Sequence, residues 1–240
     1  MEKKYISTRN QQKEINFYQA IVQGIGEDGG LLVPDFDFTK MDLDVLSKLN
    51  YVDLATEVLS TFVPEEGKEL IHDACLNAYG KGLFPEIVVP VKKAGDVYVA
   101  ELFHGQTAAF KDMALSLLPY LMTLSLKQLK EEREVMILAA TSGDTGKAAL
   151  EGFKDVEGTC IKVFYPLDGV SAIQQQQMVS QTGKNVKVVG IHGNGRLLVR
   201  VFRSRCAGML TAFALGGFLR GRCRRFRTWL CRRFRTRLRR

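Results

Sequence analysis

Apolar residues recur at intervals of three and four through much of the first 85 residues, which is the spacing of one face of an α-helix. The pattern predicts helices from Ile15 to Val22, from Asp42 to Leu49 and from Val52 to Leu59. A fourth helix is predicted to open at Pro64 and to end near Tyr79. Between the first and second of these helices, glycines interrupt the helical pattern, and a short extended apolar segment, Leu31 to Val33, follows them.

From residue 86 the pattern changes to short apolar runs. Two strands are predicted first, Ile87 to Val91 and Val97 to Leu102, followed by an apolar helix from Met113 to Leu126 that Pro119 must end or kink. Strands and helices then alternate: Val135–Ala140, Lys147–Phe153, Cys160–Tyr165, Val170–Thr182 and Val186–Ile191. This alternation predicts an α/β fold with a parallel sheet and right-handed crossovers.

One lysine stands where the chain passes from a predicted strand to a predicted helix. It is Lys111, within the segment His104-Gly-Gln-Thr-Ala-Ala-Phe-Lys-Asp112. Surface lysines are common, so the residue type alone carries little. In a dry or cationic pocket, however, a lysine amine is a nucleophile that reacts with aldehydes. Lys111 is therefore a candidate for covalent chemistry.

A loop rich in glycine and hydroxyl groups, Thr141-Ser-Gly-Asp-Thr-Gly146, joins a predicted strand to the helix that follows. Ligands of open α/β sheets bind beyond the carboxyl ends of the strands, and a helix N-terminus attracts anions. The spacing matches neither a P-loop nor a dinucleotide fingerprint. A plain helix cap and an anion site both fit the loop by itself, and the junction lysine upstream favours the anion site.

The charge of the chain is divided unevenly. All 26 acidic residues lie in residues 1–195, whereas residues 196–240 contain 15 Arg, no Lys and no acidic residue. Within that segment Cys223-Arg-Arg-Phe-Arg-Thr228 recurs as Cys231-Arg-Arg-Phe-Arg-Thr236. The abrupt change and the repeat favour out-of-frame translation of residues 195–240, or a damaged or misassembled gene. A basic arm for nucleic acid or anionic membrane, and a plain solvated charge run, are the alternatives.

Several other classes of protein do not fit the sequence. The longest uncharged apolar run, Cys206 to Leu219, is too short to cross a bilayer, and no apolar signal core follows the N-terminus. The five cysteines form no CxxC pair and no metal spacing with the histidines, so we expect reduced thiols, no metal and a cytoplasmic protein. His72 is expected to be a surface or interhelix residue.

Residues 1–194 resemble the N-terminal portion of the threonine synthase family, which are fold-type II enzymes dependent on pyridoxal phosphate. The resemblance is carried by Tyr5-Ile-Ser-Thr-Arg9, by Asp28-Gly-Gly-Leu-Leu-Val-Pro34 and, above all, by the lysine segment and the loop with its helix start, Ala140 to Ala149. It implies a tryptophan synthase β-like parallel sheet, here incomplete, after a mostly helical N-terminal domain. The implied divisions are 1–85, 86–194 and an aberrant tail, 195–240.

The family reaction converts O-phospho-L-homoserine and water to L-threonine and phosphate. By resemblance, Lys111 binds the cofactor aldehyde covalently and later moves protons at the substrate α and β carbons, and Asp144 lies near the cofactor. Ser142, Gly143, Thr145 and Gly146 bind the substrate carboxylate. The expected partner is thus a small molecule, with no nucleic acid and no membrane. Asp144 and the helical first domain favour this family over a dehydratase or another fold-type II lyase.

Two departures from the family pattern stand out. Gln106 replaces the proline of the family's lysine motif, which removes one fixed backbone angle. More seriously, residues 195–240 contain no glycine-rich cradle for the cofactor phosphate, since Gly216-Gly217 is an isolated pair. The partner of the pyridine nitrogen is likewise missing from the resemblance. We therefore expect a truncated, poorly active form of the enzyme.

Overall fold

The structure is a computed structural model that describes residues 3–141, 143–192 and 218–221, the last four by their backbone. The N-terminal region combines a small antiparallel sheet with four helices. The strands are β1 (Lys4–Ser7), β2 (Ile15–Asn16) and β3 (Leu32–Pro34), in the order β2-β1-β3. The helices are α1 (Phe17–Gln23), α2 (Leu43–Leu46), α3 (Tyr51–Ser60) and α4 (Lys68–Tyr79), the last preceded by a 3₁₀ turn, Glu65–Gly67.

Side-chain caps explain where three of these helices begin. Asn16 and Gln19 form a reciprocal capping box on α1, Asp42 accepts from the first turn of α2, and Asn50 accepts from Asp53 N–H in α3. His72 lies on α4 with Nε2 3.6 Å from Asp53 Oδ1 of α3, so the expectation of an interhelix histidine is confirmed.

A two-stranded hairpin follows, β4 (Val91–Ala94) and β5 (Val97–Ala100). The predicted strand from Ile87 to Val91 is wrong, because the hydrogen-bonded strand starts only at Val91. The reason is the turn: a two-residue loop pairs Ala94 with Val97, and Gly95 adopts the positive φ of 62° that such a loop requires. Pairing therefore extends outward from the turn, and the apolar run at Ile87 lies beyond it.

The predicted apolar helix is divided into α5 (Asp112–Leu115) and α6 (Leu118–Gln128). Pro119 lies at the start of α6, where its missing N–H would have no partner in any case. The first helix therefore ends before the proline, which is one of the two predicted outcomes, and Pro119 opens a second helix, which was not predicted.

The second sheet has the strand order β8-β7-β6-β9, formed by β6 (Val135–Ala140), β7 (Thr159–Pro166), β8 (Val186–Ile191) and β9 (Phe218–Gly221). The first three strands pair in parallel, with Val135 opposite Thr159 and Ile161 opposite Val186. The crossovers are α7 (Asp144–Phe153) and α8 (Ala172–Val179). The predicted parallel α/β sheet is confirmed, and both predicted ends of β6 and β8 are correct.

Strand β9 was not predicted. It pairs antiparallel with β6, Phe218 opposite Ala139 and Gly221 opposite Met136, and so occupies the edge of β6 away from β7. The remainder of the arginine-rich segment 195–240 lies outside the described residues. Among the helices that the structure describes, none is long and apolar enough to cross a membrane.

Two hydrophobic clusters form the core. One surrounds β6, β7 and α7 and includes Leu150, Phe153 and Ile161, which are fully buried. The other surrounds α4 and includes Ile71 and Cys75. Helix α6 contributes to both, because Leu121 packs in the α4 cluster and Leu126 in the sheet cluster. Helix α6, which follows the segment that carries Lys111, therefore connects the two cores.

Candidate active site

Lys111 is the residue immediately before α5, as predicted for a lysine at a junction. Its side chain is half-buried, and Nζ lies 4.4 Å from the centroid of the Phe110 ring. An ammonium group over an aromatic face is attracted by the ring quadrupole. Phe110 itself is 60% exposed, so the pair lies at the edge of the core and not within it.

A buried carboxyl group fixes the loop that leads to Lys111. Asp112 is 3% exposed, and its two oxygens accept hydrogen bonds from Thr107 N–H (2.8 Å) and Thr107 Oγ1 (2.5 Å). Gly105 lies so close that a Cβ on it would be 2.5 Å from the Asp112 Cβ atom. The segment 105–112 therefore closes on the side chain next to Lys111.

The start of the same loop is tied to the hairpin. His104 Nε2 lies 2.8 Å from Glu101 Oε2, and Lys92 Nζ of β4 lies 2.9 Å from Glu101 Oε1. Hydrogen bonds from His104 and Lys92 hold the pKa of Glu101 below its usual value. The His104 ring also stacks on Phe103 at 4.6 Å between centroids. These contacts orient the chain as it leaves β5.

Thr141 organises the glycine-rich loop after β6. Its Oγ1 atom accepts hydrogen bonds from Gly143 N–H (3.1 Å) and Gly146 N–H (3.2 Å). A Cβ on Gly146 would be 2.1 Å from Thr141 Cγ2, so only glycine permits this approach. Ser142, the other hydroxyl residue predicted here, lies outside the described residues.

The free donors of the loop are in the first turn of α7. Among the described residues, neither Asp144 N–H nor Thr145 N–H has a hydrogen-bond acceptor, as expected at the first positions of a helix. The helix macrodipole adds partial positive charge at the same place. The site predicted for a carboxylate thus has amide donors, but they belong to residues 144 and 145, since those of Gly143 and Gly146 bond to Thr141.

Asp144 is held in the ionised form. Gln174 Nε2 donates to Asp144 Oδ1 at 3.0 Å, and Lys147 Nζ lies 3.2 Å from the same oxygen. The hydrogen bond from Gln174, then the bond and charge of Lys147, and finally the charge of Lys111 lower the pKa of Asp144 against the opposing effect of partial burial. The contribution of Lys111 links the two predicted segments electrostatically.

One cavity joins the two segments physically. It has a volume of about 550 Å³, within the range of small-molecule sites, and both Lys111 and Thr145 line it. The remaining lining residues are mostly apolar and come from three parts of the chain: Tyr51, Val89, Leu102, Phe110, Met113, Ala114 and Leu115. A lysine amine, a hydroxyl group and a helix N-terminus therefore border one largely apolar space.

Sequence reasoning missed several residues that build the site. Thr107 and Asp112 lie inside the lysine segment, and their polar side chains beside a predicted core helix were a usable signal. Thr141 likewise belongs to the loop that was singled out. Gln174 had no such signal, because it is the first of four consecutive glutamines on the next crossover helix. Tyr51 reaches the cavity only through the packing of α3.

Comparison with known proteins gives a consistent family. Residues 4–79 match the family model "Threonine synthase N terminus". The chain is 36% identical to the threonine synthase of Pseudomonas aeruginosa, over 91% of this chain and 45% of that protein. It is 31% identical to the threonine synthase of Saccharomyces cerevisiae, over 79% of this chain and 40% of that protein.

Solved structures agree with these relatives. The fold superposes on the pyridoxal-phosphate-bound threonine synthase from Brucella melitensis with a TM-score of 0.75 and 35% identity, covering 85% of this chain and 45% of that one. The threonine synthase from yeast gives a TM-score of 0.76 at 30% identity, covering 84% and 43%.

The extent of the match refines one expectation. The yeast sequence match agrees with a resemblance that ends near Asn194, but the Pseudomonas match covers more of the chain than residues 1–194 represent and so runs into the arginine-rich segment. The chain spans less than half the length of the relatives it matches. Residues 4–79 match the N-terminal model of the threonine synthase family, and in sequence and in fold the chain is similar to the N-terminal portion of these threonine synthases.

Proposed function

We propose that this chain forms the cofactor-anchoring part of a threonine synthase site, in which pyridoxal 5′-phosphate is bound covalently to Lys111. The reaction we propose is the conversion of O-phospho-L-homoserine and water to L-threonine and phosphate. The observation that carries the proposal is that Lys111 and Thr145, one from each predicted segment, line the same cavity.

The residues of the cavity fit the aldehyde end of this cofactor. A primary amine borders an apolar space in which it can react with an aldehyde. Phe110 and Tyr51 supply ring surfaces beside it, and Asp144 supplies a carboxylate within the electrostatic reach of Lys111. When bound, the cofactor supplies the electron sink that stabilises negative charge on the substrate carbon skeleton.

The remaining roles belong to residues of this chain. The amide groups of Asp144 and Thr145, with the Thr145 hydroxyl, would bind the substrate carboxylate at the N-terminus of α7. Ser142 remains a proposed contact of the substrate carboxylate. Gly143 and Gly146 would shape the loop around it, since their N–H groups donate to Thr141 Oγ1. Once its amine is free, Lys111 would take and return protons at the substrate α and β carbons.

We further propose that other parts of the enzyme hold the cofactor phosphate and ring nitrogen. The chain matches 45% of the Pseudomonas relative, so these groups would lie in regions of the family that correspond to the unmatched part of that protein. We also propose a cytoplasmic location, because the five cysteines of the sequence form no CxxC pair and show no disulfide-type pattern.

Substrate competition for Lys111 tests the proposed reaction without requiring turnover. An amino-acid substrate competes with Lys111 for the cofactor aldehyde, so O-phospho-L-homoserine added before borohydride should lower the amount of cofactor fixed on Lys111. L-Serine and L-threonine at equal concentration serve as controls and should lower it less. If L-serine displaces the cofactor better, the site is that of a dehydratase, and if no amino acid competes, the proposed substrate is wrong.

A further inference from the structure

We propose that Gln174 is a positioning residue of this site, which orients the carboxylate of Asp144 and locks α8 onto the glycine-rich loop. The inference rests on the proposed function insofar as Asp144 faces the cofactor. The contact itself does not: Gln174 Nε2 donates to Asp144 Oδ1 at 3.0 Å across 30 residues of sequence.

The orientation of the Gln174 amide is fixed by its own helix. Its Oε1 atom accepts from Ser171 N–H (3.4 Å) and lies 3.2 Å from Ser171 Oγ, while Gln174 N–H donates to Ser171 Oγ at 3.2 Å. A backbone N–H can only donate, so the oxygen must face Ser171 and the NH₂ group must face Asp144. The capping box of α8 thus aims a hydrogen-bond donor at the site.

Gln174 also occupies the space above the loop. A Cβ on Gly143 would be 2.6 Å from Gln174 Nε2 and 2.9 Å from its Cδ. The glycine therefore makes room for the glutamine side chain, and the loop cannot shift toward α8 without displacing it. Helix α8 and the N-terminus of α7 are held together at this point.

The contacts that hold Asp144 converge on one of its oxygens. Gln174 Nε2 donates to Oδ1 at 3.0 Å, and the nearest approach of Lys147 Nζ, at 3.2 Å, is to the same atom. The charge of Lys111 also acts on this carboxylate. The Asp144 side chain is 46% exposed, so Gln174 and Lys147 fix the carboxylate while part of it stays open to a ligand.

The test compares two glutamates on the same helix. Gln174→Glu keeps an acceptor for Ser171 but places a carboxylate against Asp144, whereas Gln176→Glu adds the same charge at an exposed position two residues along. The Asp144 titration is followed in cofactor-free protein by ¹³C-carboxyl NMR of labelled aspartate, assigned with Asp144→Asn. We expect the pKa of Asp144 to rise in Gln174→Glu and to stay in place in Gln176→Glu, because like charges in contact oppose ionisation.

A second readout concerns the cofactor. Affinity for pyridoxal phosphate should fall about tenfold in Gln174→Glu and in the uncharged Gln174→Met, which loses the same donor, and should be unchanged in Gln176→Glu. The proposal is overturned if the pKa of Asp144 is the same in Gln174→Glu and Gln176→Glu. It is also overturned if Gln174→Met binds pyridoxal phosphate with the affinity of wild type. If wild-type protein fixes no cofactor on Lys111, the proposed function fails, but the Asp144 titration still decides whether Gln174 positions that carboxylate.

Discussion

At the scale of single residues, Lys111 owes its position to its neighbour. Asp112 is buried next to it and takes both hydrogen bonds that Thr107 can offer, through the backbone and through the hydroxyl. Burying a carboxyl group is costly unless its oxygens are satisfied. The short loop from Gly105 to Lys111 is thus constrained from within.

This constraint predicts the effect of Thr107→Val, which keeps the shape of the side chain and removes the hydroxyl donor. The free energy of unfolding should fall by about 2 kcal/mol, because a buried carboxyl oxygen loses a hydrogen-bond partner. Thr39→Val, at an exposed position, should change it by less than about 0.5 kcal/mol. Urea unfolding measures both. If Thr107→Val lowers the free energy of unfolding no more than Thr39→Val does, the Thr107 hydroxyl does not hold the loop.

The pH dependence at Asp144 belongs to the same scale. Its pKa in the folded chain is lowered from the ordinary 3.8, so its contacts with Gln174 and Lys147 stabilise the fold at pH values above about 3.8. That stabilisation is lost as the pH falls through the lowered folded value. In Asp144→Asn, which has no carboxyl group at this position, the free energy of unfolding should therefore depend less on pH in the acid range than it does in wild type. An acid transition identical to that of wild type would contradict the assignment of Asp144 as an ionised, paired group.

At the scale of elements, the sequence predicted the strands of the parallel sheet well, and it predicted the first hairpin strand poorly. Both ends of β6 were correct, because a continuous apolar run is typical of a parallel strand covered by helices. Both ends of β8 were also correct, although no residue of that strand is fully buried. The run at Ile87 is apolar too, but the pairing of the hairpin is set by the turn at Gly95. Strand β9 could not be predicted, since nothing local in Phe218–Gly221 specifies a partner across the chain.

The packing of α5 on α7 depends on one glycine. A Cβ on Gly152 would be 2.1 Å from the Leu115 carbonyl oxygen, which is backbone and cannot rotate away. Gly152→Ala should therefore separate the two helices, lower the free energy of unfolding by about 1–3 kcal/mol, and reduce the labelling of Lys111 by pyridoxal phosphate.

The matched control is Gly95→Ala in the hairpin turn. A Cβ there meets no atom within 4 Å, so its cost comes from the positive φ of 62° alone. It should lower stability without changing the labelling of Lys111. Unfolding curves and mass spectrometry of the labelled protein separate the two effects. If Gly152→Ala labels like wild type, the approach of α5 to α7 does not position Lys111.

At the scale of the whole molecule, the hairpin is exposed on both of its faces. Every residue of β4 and β5 is exposed, including Val97 at 59% and Tyr98 at 73%, and Phe103 and Phe110 after the hairpin are exposed at 55% and 60%. The sequence predicted that Val97 and its neighbours form a strand. It could not predict their exposure, because exposure depends on which other elements pack against the strand.

The exposure of the hairpin predicts its dynamics. A two-stranded sheet with both faces open is only marginally stable, so the amide hydrogens of β4 and β5 should exchange on the order of a hundredfold faster than those of β7. Strand β7 is the control because its ladder is buried between β6 and β8. Hydrogen exchange by mass spectrometry at several protein concentrations measures the difference. Equal protection at all concentrations would mean that the hairpin is covered.

Whether Lys111 is the residue that binds pyridoxal phosphate is decided by locating the covalent label on the chain. Protein incubated with the cofactor is reduced with borohydride, digested and analysed by mass spectrometry, alongside Lys111→Ala and the control Lys93→Ala. We expect one dominant label on Lys111, its loss in Lys111→Ala and its retention in Lys93→Ala. A label spread over the surface lysines, or an equal amount of label in Lys111→Ala, would contradict it.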